Sequence, residues 1–396
     1  MPSCPNPTPP PLRTAALIAL CVLAHSTLTG GRVAVSLTAL ASGFSTPMVG
    51  LLIAVHALLP TLGSIAFGRW VDRAGPRRPV LAGLAATAAG LALSTLSRAP
   101  WALWATAALL GGGCAASLLA LQSQLGLGTD ASQRRRQQSA FALGVGVSSV
   151  AGPLLAGQAV AWGGARLAFP LLLGIALLAV GGAVAMRRGL GRWWHAAGSP
   201  RRKGLSARQV LDDPALRRVL VADLLIAVAW NANGFIVPVH GVQQGWSPAA
   251  VGQLLAAFGG AVLLARAVPP GWLQRFGEWR SIHAALGAST VCFLLFPLAD
   301  NLPFALALEV VMGLGLGSSL PGVLALLFAA SPPGRQGEVL GVRAVVLNLC
   351  AIAMPVLLGG LGATVGVGRL LAGLGVGLAG GAAAFGRPSF TDGRRA

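Results

Sequence analysis

"GRWVDRAGPRR" (residues 68–78) packs five charges into eleven positions of a chain in which only 10% of residues are charged. Long apolar runs flank it, "GLLIAVHALLPTLGSIAF" (50–67) before and "PVLAGLAATAAGLALSTL" (79–96) after. An apolar stretch of about 18 residues is long enough to cross a ~30 Å hydrocarbon core as a helix. The charged stretch therefore reads as a tight turn between two membrane helices. Gly75 supplies backbone freedom there, and the arginines hold the turn on one side of the bilayer.

The same reading extends along the chain. Of 396 residues, 55% are hydrophobic, and the mean hydropathy is +0.74. Soluble domains carry about 25% charged residues. Spans are expected at 13–41, 46–68, 78–97, 100–126, 139–162, 166–186, 215–240, 247–270, 281–299, 302–329, 337–360 and 365–386. The alternating ~10-residue strands of a membrane barrel are absent. The class is an all-α integral membrane protein with twelve transmembrane helices. The Pro-rich start, residues 1–12, is expected to be a disordered cytoplasmic N-terminus, with the run after it a retained first helix rather than a cleaved signal. Nucleic-acid binding is excluded despite the formal net charge of +19, because the arginines lie between spans and not on a soluble face. The five cysteines have no CxxC or disulfide-like spacing and read as packing residues; no metal site and no cofactor is expected.

Charge asymmetry sets the orientation. One side collects 24 of the 29 Arg and Lys residues, counting Arg13, the 69–78 stretch, Arg134–Arg136, the 187–218 loop, Arg275, Arg280, Arg335, Arg343 and the tail. The other side holds Arg98, Arg166 and Arg369, and two more, Arg32 and Arg266, fall inside spans. The positive-inside rule puts both termini in the cytoplasm of a cell (inner) membrane.

The chain also repeats itself. A shift of 202 residues lays Gly43, Ser45, Val49, Gly50 and Leu52 on Gly245, Ser247, Val251, Gly252 and Leu254. Arg73, Gly75 and Arg78 fall on Arg275, Gly277 and Arg280, Gly111, Gly113 and Ser117 on Gly313, Gly315 and Ser319, and Pro153 and Gly157 on Pro355 and Gly359. Two pseudo-symmetric six-helix halves follow: a bundle at 13–187, a cytoplasmic linker at 188–214, a second bundle at 215–386 and a tail at 387–396. Parallel repeats of this kind build transporters that rock around a central site.

With twelve spans, a central basic loop and the 68–78 stretch together, the chain resembles the major facilitator superfamily over nearly its full length. The stretch is similar to that family's signature between helices 2 and 3, roughly G-x-x-x-D-R-x-G-R-[RK]. Gly68, Asp72, Arg73 and Gly75 match, and Pro76 is an insertion-like departure before Arg77 and Arg78. The resemblance implies a cytoplasmic latch between the halves; a topology anchor is the plainer alternative. "GVGVSSVAGPLLAG" (144–157) resembles the helix 5 motif of proton-driven drug exporters through Gly152, Pro153 and Gly157, with Ala156 where a glycine is usual. Close helix packing with a proline kink is the alternative there. Ala107 stands where many proton antiporters of the family carry an arginine on helix 4.

Ionisable groups inside spans are costly and mark pathways. Arg32, Asp223 and Glu309 lie in the first, seventh and tenth spans, which the resemblance makes cavity helices. Cys21, His25, Thr29, Arg32 and Ser36 form one stripe at helical spacing. Asp223, Trp230 and Gly234 share a face with Asn231 and Asn233 at its flanks, and Ser117 and Gln124 share a face of the fourth span. At 1.5 Å per residue Arg32 and Glu309 lie about 14 and 10 Å from their outer helix ends, so they can pair, with Glu309 the protonation site and Arg32 its partner or a clamp for a substrate anion. A static buried pair is the alternative.

The expected function is secondary transport of a small-molecule substrate by alternating access, coupled to protons, with export favoured over uptake or facilitated diffusion. No nucleophile–base set or P-loop is present, so neither catalysis nor ATP-driven transport is expected. A non-transporting sensor or scaffold of the same fold is the rival from another class. The protein is expected to act as a monomer in the lipid bilayer.

Overall fold

In a bilayer no water is available to satisfy backbone N–H and C=O groups, so a spanning chain must satisfy them internally. The computed structural model describes residues 11–125, 131–189, 210, 212–268, 277–332 and 336–384, and their regular structure is helical. The helices are α1 (Pro11–Ala41), α2 (Thr46–Ala74), α3 (Arg77–Leu96), α4 (Pro100–Leu125), α5 (Ala131–Gly163), α6 (Ala165–Gly189), α7 (Pro214–Gln243), α8 (Pro248–Ala267), α9 (Glu278–Leu295), α10 (Leu302–Ala330), α11 (Gln336–Val365) and α12 (Val367–Ala384). A 3₁₀ turn, Phe296–Leu298, follows α9. Twelve of these segments are long and apolar enough to cross a membrane. The disorder expected at residues 1–10, most of the linker and the whole tail lie outside the described residues.

Local chemistry sets the ends. Asp213 accepts from the Ala215 and Leu216 amides to start α7, Ser247 from Ala250 to start α8, and Asn301 from Phe304 to start α10. Each is an N-cap with a proline in the first turn behind it.

The opening stretch is more helical than its composition suggests. Gly68 to Ala74 continue α2, so the turn shrinks to Gly75 and Pro76. Gly75 takes φ 71°, the left-handed C-terminal position that favours glycine. Pro76, the departure from the family pattern, is the N-cap of α3 with φ −70°, and its carbonyl accepts from Val80 N at 3.0 Å. Its ring pre-sets the dihedral that the start of α3 requires. Gly75 and Pro76 are buried beside Val71 and Val80, while Arg73 and Arg78 are exposed. The Asp72 side chain lies outside the described side chains. α5 likewise starts at Ala131, eight residues before the apolar run. Hydropathy marks the membrane core, whereas the hydrogen-bond ladder runs on into water.

The chain forms two compact units, Met1–Gly43 with Val55–Pro200 and Phe44–Ala54 with Arg201–Ala396. In the first, α1 packs on α5, and α3 on α4 and α6; in the second, α7 packs on α11, and α9 on α10 and α12. The 202-residue offset therefore appears as the same set of neighbours. It also appears in the backbone. All six described glycines with positive φ fall into three pairs at that offset: Gly43 with Gly245, Gly75 with Gly277, and Gly164 with Gly366.

Glycines also set helix spacing. A Cβ on Gly111 would collide with the His56 carbonyl of α2, and one on Gly313 with the Phe258 carbonyl of α8, again 202 residues on. Small residues let membrane helices approach to backbone contact. Gly111→Val is expected to lower stability by about 1–3 kcal/mol, the range for overpacking. Gly174→Ala, where a Cβ meets nothing within 4 Å, is expected to change it little. Thermal unfolding of the purified variants in detergent compares the two.

Candidate functional site

In the second unit α7, α8, α10 and α11 line an open cavity of about 240 Å³. Its polar lining comes from Asp223, Trp230 and Asn231 of α7, Arg266 of α8, Ser319 of α10 and Arg343 of α11. Asp223 and Trp230 are seven residues apart, two turns of one helix face, which brings both to the same cavity.

Arg343 holds Asp223 with two bonds, Nε donating to Oδ2 at 2.7 Å and Nη2 to Oδ1 at 3.3 Å. The side chains are 19% and 4% exposed. A forked guanidinium–carboxylate pair satisfies two charges that would each be costly alone in an apolar setting. Arg343, counted with the charges of the basic side, lies at the end of the second turn of α11 and turns inward to Asp223. Its signal was depth. Asp223 is about 14 Å from the start of α7 and Arg343 about 10 Å from the start of α11, both starts on the basic side.

Arg266 lies with its Cζ 5.9 Å from the Trp230 ring centroid. Its Nε is buried with no hydrogen-bond partner among the described residues. Trp230 is set in turn by Phe258, edge-on at 5.0 Å between centroids and 73° between planes. Asn231 donates to the Ala227 carbonyl at 2.8 Å, and Ser319 to that of Leu316 at 2.8 Å.

A second polar site lies away from this cavity. Asn233 Nδ2 donates to Glu309 Oε2 at 3.0 Å, and the two residues are 1% and 0% exposed. Glu309 Oε1 is buried without a partner among the described residues. Asn233 is ten residues beyond Asp223, about 15 Å along α7. The expected face of α7 thus splits: Asp223, Trp230 and Asn231 line the cavity, and Asn233 turns to Glu309.

In the first unit the stripe on α1 is used for packing. His25 Nδ1 and Ser148 Oγ of α5 are 2.6 Å apart, and Thr29 Oγ1 donates to the Ser148 carbonyl at 3.0 Å. A Cβ on Gly152 would collide with Thr29, Ser26 and Gly30, so α5 and α1 are in backbone contact there. Pro153 and Gly157 are buried on the same helix. Arg32 is half-buried, and its guanidinium makes no hydrogen bond to a described residue of its own unit; its carbonyl accepts from Ser36 at 2.7 Å. Gln124 is half-buried, with Nε2 unpartnered among the described residues. Ser117 does not join it on a cavity face: it is fully buried, against Gly83 of α3. Among the described residues no three His, Cys, Asp or Glu side chains gather as a metal site.

Twelve apolar helices in two repeated units, with ion-paired and orphaned polar groups inside the membrane-spanning part, define a polytopic membrane transporter. A model of the Major Facilitator Superfamily matches residues 15–355, and the chain belongs to that family. It is 26% identical to the class C tetracycline resistance protein of Escherichia coli over 321 residues, 78% of each chain. It is 25% identical to the class G tetracycline resistance protein of Vibrio anguillarum over 312 residues, 77% of this chain and 78% of the relative. In fold it is similar to a POT family transporter solved with a thioalcohol-conjugated peptide, with a TM-score of 0.81, 13% identity and 94% of each chain covered. The protein is a transporter and not an enzyme.

The Asp223–Arg343 pair yields a direct expectation. Asp223→Ala leaves a guanidinium unpaired and is expected to cost about 3 kcal/mol, the low end for breaking a buried pair. Asp223→Ala with Arg343→Met is expected to recover most of that loss. Thermal unfolding of the single and double variants measures the recovery.

Proposed function

We propose that the protein exports a small amphipathic solute from the cytoplasm in exchange for protons, by alternating access of its two halves. The observation that carries proton coupling is Glu309, a fully buried carboxyl group with one hydrogen bond and an unpartnered Oε1. A carboxylate in such a place is costly unless paired. A proton on Oε1 removes the charge and leaves the Asn233 bond to Oε2 intact. Loading and unloading this one atom is a change that the fold can sense.

Export is supported by the relatives, whose names state resistance to tetracycline. A transporter protects a cell from a drug by lowering its concentration inside. Gly152 and Pro153 support the same direction through the resemblance of helix 5. The reading includes a cell-membrane location, a monomer, bundles at 13–187 and 215–386 joined by the 188–214 linker, a latch at residues 68–78, Arg32 as a counter-charge or anion clamp and both termini in the cytoplasm.

Flux in proteoliposomes tests the coupling, with a substrate chosen from a thermal-stabilisation panel that includes tetracycline. Wild-type uptake is expected to accelerate when the lumen is made acidic. Glu309→Gln is expected to retain counterflow and lose that response. Unchanged pH dependence in Glu309→Gln overturns the coupling role, and a stabilising ligand with no flux favours the sensor reading. Orientation is tested separately by C-terminal fusions: a fluorescent protein is expected to light up and alkaline phosphatase to stay inactive.

A further inference from the structure

The cavity of the second unit contains one charge too many. Its ionisable lining residues are Asp223, Arg266 and Arg343. Asp223 and Arg343 satisfy each other through two hydrogen bonds. Arg266 donates to no described residue, and its buried Nε is orphaned. Among the described lining residues no carboxylate is left to balance this positive charge, and its contact with the Trp230 ring, 5.9 Å from the centroid, is a cation–π pair at the long end of the range. Taking a cation out of water without a counter-charge is costly, and the cost is relieved when an anion arrives.

We propose that this cavity selects organic anions, laying a flat ring against Trp230 and receiving the acid group on Arg266. The proposal rests on the reading of the protein as a transporter of small amphipathic solutes and names the substrate class. Guanidinium presents a planar fork of donors that matches a carboxylate, sulfonate or phosphonate in two bonds. Trp230 is held edge-on by Phe258, so its orientation is set before a ligand enters. The Arg266 guanidinium lies over that ring, its carbon 5.9 Å from the centroid, too close for a second ring to enter between them, so a ligand ring must lie on the indole beside the guanidinium with its acid group turned to the donors.

Asp223 does not offer a competing site for cations. Both its oxygens are engaged by Arg343, so a cationic ligand must displace a guanidinium and then sit near Arg266. The cavity volume, about 240 Å³, is below the roughly 300–1,000 Å³ that holds a whole drug-sized ligand. It therefore takes a one- or two-ring acid, or the acidic end of something larger. The alternative is that Arg266 is structural, a cation in the last turn of α8 favoured by the helix dipole. That role predicts no dependence on ligand charge.

Calorimetric titration of the full-length protein in detergent at pH 7 separates the two, with 1-naphthoate, 1-naphthamide and 1-naphthylmethylammonium as probes. The acid is expected to bind at least tenfold tighter than the amide, and the ammonium weaker than either. Arg266→Gln is expected to abolish the preference for acid over amide. Arg266→Lys is expected to keep a reduced preference, and Trp230→Leu to weaken acid and amide alike. Equal binding of acid and amide by the wild type overturns the proposal, as does a preference that survives in Arg266→Gln. Counterflow of labelled 1-naphthoate keeps this result apart from the transport reading. Acid-selective binding without naphthoate flux leaves the anion site standing and removes transport of such acids, while flux of neutral or cationic solutes with no acid preference removes the anion site alone.

Discussion

The backbone contacts of α4 on α2 at Gly111 and of α10 on α8 at Gly313 set the spacing on which the rest of each unit depends. In a bilayer, lipid tails are as apolar as leucine side chains, so burying hydrophobic groups gives little preference for one helix neighbour over another. Close packing and hydrogen bonds have to supply it. With 55 glycines in 396 residues the chain is rich in surfaces that allow such packing. Where the helices touch, small polar groups bind them: the Ser94 and Thr106 hydroxyls are 2.7 Å apart between α3 and α4, and Cys292 of α9 donates to the Leu308 carbonyl of α10 at 3.2 Å. The two crossings are 202 residues apart to within a turn.

On this scaffold the polar side chains divide into those that hold helices together and those left in reserve. His25 and Thr29 join α1 to α5, and Asp223 and Arg343 join α7 to α11. Arg266 Nε and Glu309 Oε1 have no such role among the described residues. The fold thus leaves an orphaned buried donor and an orphaned buried acceptor in the same unit, which in the proposed reading take an anion and a proton. They lie on different helices, and α7 reaches both, through Trp230 and Asn233.

Much of the architecture was legible in the sequence because the membrane imposes a crude rule that hydropathy reads directly. The twelve spans and the repeat followed from apolar length and a constant offset. Helix ends were less legible where helices outrun the apolar core, as α2 does to Ala74 and α5 from Ala131. Pro76 looked like a flaw in a motif because a pattern of letters does not show which residue is the last of a turn and which the first of a helix. Arg343 was hidden for another reason: an arginine near a basic side is expected to reach water, and only the depth of Asp223 demanded that it turn inward. Ser117 misled because shared helical phase does not say which neighbour fills that face. His25 and Thr29 were found as a stripe, but a periodicity of four cannot distinguish a lining from a seam.

The offset of 202 pairs more than backbone. Glu309 stands opposite Ala107, Asp223 opposite Cys21, Arg343 opposite Phe141, Arg266 opposite Ser64 and Asn233 opposite Gly31. The turns and close contacts persist in both copies, while this set of charged and amide groups survives in one. The first copy has unmatched polar groups of its own: Arg32 stands opposite Gly234 and Gln124 opposite Leu326. Each of these polar residues of the second half therefore has its own reference position inside the same molecule, where a matching stretch of helix does without it.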